Sequence, residues 1–187
     1  MNFYNVNYFK LGLKILYENF PYIIESVNFV KPGKGQSFAR VKLRNLINNK
    51  LIEKTFKSTE KLKKANILNF SAKYLYNDTK FWYFLNTKNF EEFYVEKKII
   101  KNNIYWLINQ GKCSITLWNS KVISVIPENF VILKVISSDL NTKKDSINKN
   151  LKLVKLSTGV SIKVPYFIKI GDFIKVDTRT CKYICRI

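Results

Sequence analysis

Lys31-Pro32-Gly33-Lys34-Gly35-Gln36 separates two strand-like arms and decides how the first part of this 187-residue chain folds. Glu25 to Val30 precede the stretch, and Ser37 to Leu46 follow it. Pro32 fixes its own φ angle, whereas the two glycines accept backbone conformations that other residues avoid. The stretch therefore predicts the tip of a β-hairpin, with the long cationic side chain of Lys34 at its apex.

The arm after this tip shows the alternation of a half-buried strand. Its apolar residues lie on one face and its basic residues on the other: Ala39, Val41 and Leu43 against Arg40, Lys42 and Arg44. We expect the apolar set to pack inward and the basic set to point out as candidates for contacts with a nucleic-acid backbone. An ordinary solvated strand face is the alternative.

Strand-like alternation continues on both sides of this hairpin. Tyr8 to Tyr17 is predicted as the first strand, and Glu18-Asn19-Phe20-Pro21 as the turn that reverses it. Asn48-Asn49 is predicted to turn the chain into a strand at Leu51 to Phe56. This first block, which ends near Lys63, suits a small closed barrel.

The middle of the chain predicts two hairpins and one helix. The hairpin strands are Ala72 to Tyr76 with Phe81 to Leu85, and Ser114 to Trp118 with Lys121 to Val125. Ile104, Leu107 and Ile108 have the i, i+3, i+4 spacing of a helix face, so Asn102 to Asn109 is the helix candidate. Gly111 is placed to end it.

Strands dominate the last third as well, and its polar stretch Ser137 to Asn150 predicts an exposed loop. The predicted strands are Phe130 to Ile136, Leu151 to Leu156, Val160 to Val164, Phe173 to Asp177 and Tyr183 to Ile187. Short strands in blocks of about 60 residues are typical of SH3-like and OB barrels. We therefore predict an all-β chain with domains at 1–64, 65–127 and 128–187.

Composition limits the class of protein. The net charge is +20, from 33 Lys and Arg against 13 Asp and Glu, and it favours a polyanionic partner such as RNA. Lysine supplies nearly all of this charge, and we hypothesise that an A/T-rich genome contributes to it. No run approaches the roughly 18 apolar residues of a membrane span, and the amino terminus lacks a secretory pattern. We expect a cytoplasmic protein without a membrane partner.

The reactive side chains argue against an enzyme or a metal protein. The chain has three cysteines and no histidine, which suggests neither a disulfide framework nor a zinc site. Cys181 and Cys185 lie four apart and are expected on one face of a strand as ordinary small side chains. Lys34 has no histidine or paired carboxylate beside it in sequence that would activate its amine.

Several segments together resemble the elongation factor P family of bacteria. Asn28 to Leu46, continued by Glu53-Lys54-Thr55-Phe56, resembles the signature hairpin of that family. The remaining matches follow in order: Tyr74-Leu75-Tyr76-Asn77-Asp78 and Phe81-Trp82 for the second domain, and Leu156-Ser157-Thr158-Gly159, Val164-Pro165-Tyr166-Phe167-Ile168, Gly171-Asp172 and Ile174 to Arg179 for the third. The resemblance covers essentially the whole chain.

This resemblance implies a fold and a function. The fold is an SH3-like (KOW-like) barrel followed by two OB-folds, in an L-shaped arrangement similar to tRNA. The function is that of a translation elongation factor, which binds the ribosome between the peptidyl-tRNA and exit sites and relieves stalling at consecutive prolines. The factor acts by position, so we expect no catalytic residue, no metal and no cofactor, and a monomer.

The resemblance also assigns residues. Lys34 matches the family's modified lysine, to which a ligase resembling a lysyl-tRNA synthetase attaches a β-lysyl group. The residues that shape and present it are Lys31, Pro32, Gly33, Gly35 and Gln36. Tyr183 and Arg186 match positions near the anticodon stem of the peptidyl-tRNA, although simple edge packing is an equally good interpretation.

The polar stretch Ser137 to Asn150 corresponds to the family loop that approaches the mRNA codon of the exit site. Lys144-Asp145-Ser146 stands where many members have Gly-Asp-Thr. Asp145 and Ser146 preserve a carboxylate and a hydroxyl, whereas Lys144 removes the backbone freedom of a glycine. The alternative function is that of a generic RNA-binding protein of SH3-like and OB modules, with Trp82, Trp106 and Trp118 as base-stacking platforms or as core residues.

Overall fold

The computed structural model describes residues 3–139 and 151–187, and these residues form sixteen strands, one short α-helix and two 3-10 helices. The chain divides into two compact units, Met1–Asn69 with Thr116–Ser124, and Phe70–Ile115 with Val125–Ile187. Strands predominate in both units. The all-β expectation is confirmed.

The first unit contains a four-stranded sheet with the order β2-β3-β4-β5 and a separate β1-β6 pair. Its strands are β1 (Phe3–Asn5), β2 (Lys14–Tyr17), β3 (Phe20–Val30), β4 (Phe38–Asn45), β5 (Leu51–Lys57) and β6 (Lys61–Lys63). The predicted inward face of β4 is confirmed, because Ala39, Val41 and Leu43 are fully buried. They form the core together with Val6, Phe9, Ile15, Tyr22, Ile24 and Phe56.

The predicted single strand at Tyr8 to Tyr17 is wrong. A 3-10 helix at Val6–Tyr8 interrupts the amino-terminal segment, and only Lys14–Tyr17 is strand. Asn5 caps this helix by accepting a hydrogen bond from the amide of Asn7 at 3.1 Å. The following turn is also shorter than predicted, because Glu18 and Asn19 alone have positive φ angles and β3 begins at Phe20. A turn at Leu11 and Gly12, where Gly12 has a φ angle of +81°, then breaks the predicted strand before β2.

A five-stranded sheet with the order β11-β10-β7-β8-β9 follows. Its strands are β7 (Ile67–Asn77), β8 (Phe81–Asn86), β9 (Glu92–Glu96), β10 (Lys112–Trp118) and β11 (Lys121–Pro127). Both predicted hairpins are present, and Asn119 and Ser120 have the positive φ angles of a two-residue turn.

The predicted helix is displaced. The sequence predicts one helix at Asn102 to Asn109. The chain instead forms α1 at Lys97–Ile100 and then a 3-10 helix at Lys101–Trp106. Ile104, Leu107 and Ile108 have helical spacing in the sequence, but they do not share one helix. The chain leaves the helical conformation at Leu107, whose φ and ψ angles are extended. Trp106 is buried at this point among the core residues of the third sheet, such as Val131 and Leu133.

The third sheet has the order β14-β13-β12-β15-β16. Its strands are β12 (Phe130–Asp139), β13 (Leu151–Leu156), β14 (Ser161–Pro165), β15 (Phe173–Asp177) and β16 (Lys182–Arg186). The predicted loop at Ser137 to Asn150 begins too early, because Ser137 and Ser138 still pair with Lys155 and Val154 in the sheet. Cys181 lies in a turn with a φ angle of 56°, so the expectation that it shares a strand face with Cys185 is wrong.

Candidate nucleic-acid interface

The predicted tip is the connection between β3 and β4. Val30 pairs with Phe38 at the end of the ladder, and residues 31–36 between them are all exposed. Within the described residues, the Lys34 side chain has no ion pair or hydrogen-bond partner. The amine is therefore free to reach another molecule or to be modified.

Neighbouring strands hold the base of this loop in place. Ser37 Oγ donates a hydrogen bond to Ser58 Oγ at 2.9 Å, and the amide of Ser58 donates to the Ser37 carbonyl oxygen at 3.1 Å. These bonds tie the carboxyl-terminal side of the loop to the end of β5. The six residues that carry Lys34 begin directly beyond this anchored base.

The two glycines of the tip differ in their backbone. Gly35 has a φ angle of +110°, a conformation that L side chains rarely adopt. Gly33 has no such angle, and a Cβ atom built on it would meet nothing within 4 Å. The special conformation predicted for both glycines is thus needed at Gly35 alone.

Two of the three predicted basic residues on β4 are available to a ligand. Arg40 and Lys42 are exposed and lie opposite Thr55 and Glu53 of β5. The Arg40 guanidinium carbon lies 5.8 Å from the centre of the Phe38 ring. Both cations lie on β4, the strand that leads away from the Lys34 loop.

Arg44, the third predicted cation, is already occupied. Its Nη2 donates to Glu25 Oε2 at 3.0 Å, its Nε donates to Glu25 Oε1, and its Nη1 donates to the Asn49 carbonyl oxygen at 3.0 Å. This hydrogen bonding lowers the pKa of Glu25 and raises the pKa of Arg44. Arg44 links β3 to the turn after β4 and is less available for phosphate than Arg40.

The structure places the two predicted carboxy-terminal residues on β16. Tyr183 is half-buried against the core of the third sheet, which supports a packing role. Arg186 is exposed, with its Nη1 atom 3.8 Å from Asp172 Oδ2 and its guanidinium carbon 6.0 Å from the Phe167 ring centre. Arg186 is therefore the more accessible of the two. Asp145 and Ser146, like Lys144, lie outside the described residues.

Family comparisons cover almost the whole chain. The elongation factor P (EF-P) KOW-like domain matches residues 5–62, the elongation factor P (EF-P) OB domain matches residues 69–125, and the elongation factor P carboxy-terminal domain matches residues 131–186. Elongation factor P of Buchnera aphidicola subsp. Acyrthosiphon pisum (strain APS) is 53% identical over 188 residues, and that of subsp. Schizaphis graminum (strain Sg) is 54% identical over 187 residues. Both alignments cover 100% of each chain.

This chain belongs to the elongation factor P family. The chain is accordingly a translation elongation factor, and the family resemblance seen in the sequence is confirmed.

Solved structures support the fold of this elongation factor P family member. Eukaryotic translation initiation factor 5A from Methanococcus jannaschii superimposes with a TM-score of 0.54 at 20% identity, covering 67% of this chain and 94% of that chain. A translation initiation factor eif-5a family protein from Naegleria fowleri ATCC 30863 superimposes with a TM-score of 0.51 at 8% identity, covering 67% and 97%. At these identities the likeness is one of fold alone.

The tryptophans do not form the stacking surface that a generic RNA-binding protein would use. Trp82 and Trp106 are 9% and 4% exposed, and Trp118 is only partly exposed. Their burial indicates packing, the commoner role of tryptophan in small barrels. Together with the family comparisons, it sets the generic interpretation aside.

Residues 3–139 and 151–187 contain no group of three or more metal-ligating side chains, and no helix among them is long and apolar enough to span a membrane. Burial raises the pKa of the Cys113 thiol to about 12, which keeps that sulfur protonated and unreactive.

Sequence reasoning missed the pairing of Arg44 with Glu25. Glu25 lies where the register between β3 and β4 shifts, between Ile24 and Ser26. Ile23, two residues before Glu25, is the cross-strand partner of Arg44, so the contact depends on the pairing of β3 with β4, which alternation along one strand does not reveal. The opposite charges of Glu25 and Arg44 were the one signal in the sequence. Because the two residues are far apart in sequence, that signal does not identify them as a pair.

Proposed function

We propose that this elongation factor binds the ribosome between the peptidyl-tRNA and exit sites and relieves stalling at consecutive prolines. Two observations support the proposal, namely membership of the elongation factor P family and the exposed loop at residues 31–36. The exposure of the Lys34 amine carries most weight, because a long unpaired cation on a narrow tip suits entry into an RNA-lined cleft.

Proline is a poor nucleophile in peptide-bond formation, because its amine is secondary and constrained by its ring. A protein that holds the acceptor end of the peptidyl-tRNA in reactive geometry lowers the entropic part of that barrier. Lys34 supplies such a contact to the acceptor-end backbone without acting as an acid or a base. The factor therefore makes and breaks no bond, and it is not an enzyme.

Lys34 is the proposed site of β-lysylation by a ligase resembling a lysyl-tRNA synthetase. The extension lengthens the side chain and adds an amino group for phosphate contacts. The loop that carries it consists of Lys31, Pro32, Gly33, Gly35 and Gln36, and its exposure also leaves room for the ligase. Mass spectrometry of the peptide that spans Lys34, taken from the native host, tests for the added lysyl group.

Contacts with tRNA and mRNA are proposed for residues outside the Lys34 loop. Arg40 and Lys42 extend the basic face from the loop, and Arg186 approaches the anticodon stem of the peptidyl-tRNA. Asp145 and Ser146 contact the exit-site codon of the mRNA. The proposed domain division is 1–64, 65–127 and 128–187, in a monomer that works in the cytoplasm.

The decisive experiment is reconstituted translation of two reporters, one of which contains three consecutive prolines. The wild-type factor is expected to accelerate the proline reporter and to leave the other unchanged. Lys34→Ala is expected to remove the acceleration while the circular dichroism spectrum stays unchanged. Lys50→Ala, at an exposed position in the β4–β5 turn of the same barrel, is the matched control and is expected to retain it. Full rescue by Lys34→Ala would show that the loop assignment is wrong.

A further inference from the structure

Three tyrosines form a continuous row across the outer face of β7, β8 and β9. Tyr76 pairs with Tyr83, and Tyr83 pairs with Tyr94. The rings of Tyr76 and Tyr83 stack with centroids 4.5 Å apart and planes 18° apart, and the Tyr94 centroid lies 6.5 Å from that of Tyr83. Phe81 extends the row, with its centroid 4.9 Å from that of Tyr94.

This row lies on the face of the sheet opposite the core. Trp82, Phe84 and Val95, which alternate with it, are buried, whereas Tyr76 and Tyr94 are 53% and 64% exposed. An exposed cluster of contacting aromatic side chains is unusual on a free surface and marks an interaction site. Tyrosine is also enriched among the residues that dominate binding energy at protein interfaces.

Carboxylates surround the tyrosines. The hydroxyl of Tyr83 donates to Asp78 Oδ2 at 2.9 Å, and the hydroxyl of Tyr76 donates to Glu92 Oε1 at 3.3 Å. Glu92 and Glu96 lie two positions before and two positions after Tyr94 on β9, so alternation places them on the same outer face. Both phenolic protons point to carboxylates, which leaves π faces and oxygen lone pairs for an incoming group.

The charges of these groups define what binds there. An ammonium or guanidinium group is attracted to the negative face of an aromatic ring and to carboxylate oxygens together. Nearby lysines only partly neutralise the carboxylates: Lys98 Nζ contacts Glu96 Oε2 at 2.5 Å and the charge of Lys80 acts on Asp78, whereas Glu92 has no ion pair among the described residues. A phosphate group placed over Tyr76 and Tyr94 would instead meet Asp78 and Glu92 and be repelled.

We infer that the outer face of β7, β8 and β9 is a docking surface for an arginine- or lysine-rich segment of a partner protein. Charge complementarity identifies this occupant, because the carboxylates of this face lie beside exposed aromatic rings, and both attract cations. The residues involved are distinct from those assigned to the Lys34 loop, so the inference stands independently of the proposed function.

Titration with a fluorescent peptide of alternating arginine and glycine tests the inference on the full chain. Because the net charge of the chain is +20, non-specific binding of a cationic peptide is disfavoured, and saturable binding is informative. We expect saturable binding that weakens as salt is raised, with chemical-shift changes confined to the ring protons of Tyr76, Phe81, Tyr83 and Tyr94. A peptide of alternating glutamate and glycine is the probe control.

Variants locate the binding. Tyr76→Ala combined with Tyr94→Ala is expected to weaken peptide affinity about tenfold, since each exposed cation–ring contact contributes a few-fold. Glu92→Gln, which keeps the size of the side chain, is expected to weaken affinity a few-fold. The matched controls are Tyr8→Ala, at a tyrosine that is 71% exposed in the first unit, and Glu53→Gln, and both are expected to bind as wild type.

Three results would overturn the inference. The first is absence of saturable peptide binding, and the second is equal affinity in the double tyrosine variant, whose folding is checked by circular dichroism. The third is a titration with single-stranded oligouridylate that shifts the same tyrosine signals more strongly than the peptide does, which would make the row an RNA-stacking surface. Peptide binding that is lost in the double variant and kept in Tyr8→Ala supports it.

Discussion

Arg44 is bound to Glu25 across the β3–β4 hairpin, with Arg44 Nη2 donating to Glu25 Oε2 at 3.0 Å. A second bond from Nε to Oε1 makes the pair bidentate, the geometry in which arginine and carboxylate bind most specifically. Three basic residues that alternate along β4 therefore have two different roles. Arg40 and Lys42 face solvent, whereas Arg44 supports the hairpin on which the Lys34 loop is built.

This division predicts different effects on tRNA binding. Arg40→Ala and Lys42→Ala are each expected to reduce the slope of log K against log salt by about 0.7–0.9, the loss of one phosphate contact. Arg44→Ala is expected to change the slope by less than half of that, because its guanidinium is engaged with Glu25. Filter binding of a labelled tRNA across a salt series measures the slopes. Equal losses in all three variants would contradict the assignment of Arg44.

The two glycines of the loop are expected to differ in function. An alanine at position 35 would keep the φ angle of +110° only at a cost on the order of 1–3 kcal/mol, so Gly35→Ala is expected to make the tip adopt another conformation. We expect a severalfold loss of activity on the proline reporter with little change in Tm, because residues 31–36 are exposed and rearrange without disturbing the core. Gly33→Ala, where the added methyl group meets nothing, should behave as wild type. If Gly33→Ala proves the more damaging substitution, the loop geometry described above is wrong.

Local alternation predicted most strands, because each strand buries one face of its own residues. Ala39, Val41 and Leu43 follow this rule, and so their burial was predictable. The helix was misplaced because Trp106 is buried against the third sheet, a contact between residues distant in sequence. Periodicity within a short window carries no information about such a contact.

Trp106 is accordingly predicted to stabilise the fold and not to bind RNA. Trp106→Ala should lower the free energy of unfolding by about 3–5 kcal/mol, through lost burial and the cavity left behind. Tyr105→Ala, at the neighbouring residue that is 41% exposed, should change it by less than about 0.5 kcal/mol. Urea unfolding followed by circular dichroism measures both. A Trp106→Ala protein of unchanged stability that had lost RNA affinity would instead identify Trp106 as a stacking residue.

Asp177 should make the stability of the second unit depend on acid pH. Hydrogen bonds from the Arg179 guanidinium lower its pKa from 3.8 to about 2, so the folded state favours the ionised carboxylate. Its stabilising contribution is complete above about pH 5 and is lost progressively as the pH falls through 3.8 to about 2. Asp177→Asn is therefore expected to have a lower Tm than wild type at pH 7, and the difference should shrink between pH 4 and pH 2.

The matched control for this titration is Glu53→Gln, which removes an exposed carboxylate from the first unit. Its Tm should differ from that of wild type by a smaller amount at pH 7. A difference between wild type and Asp177→Asn that stays constant from pH 7 to pH 2 would show that the ion pair with Arg179 does not stabilise the fold.

The loop of the candidate site could be predicted from the sequence, whereas the pairing of its side chains could not. Proline and glycine mark the tip by their own backbone preferences, so the position of Lys34 followed from residues 31–36 alone. The pairing of Arg44 with Glu25 depends on the register between β3 and β4, and the tyrosine row depends on the register of three strands. Such pairings require the register of the folded sheets.

The position of the Lys34 tip in a complex with a ribosome stalled at consecutive prolines tests the central claim most directly. Electron cryomicroscopy of that complex should show the tip beside the acceptor end of the peptidyl-tRNA, with the Lys34 side chain within hydrogen-bonding distance of its backbone. A complex in which the tip faces bulk solvent, away from the peptidyl-transferase centre, would contradict the proposed function.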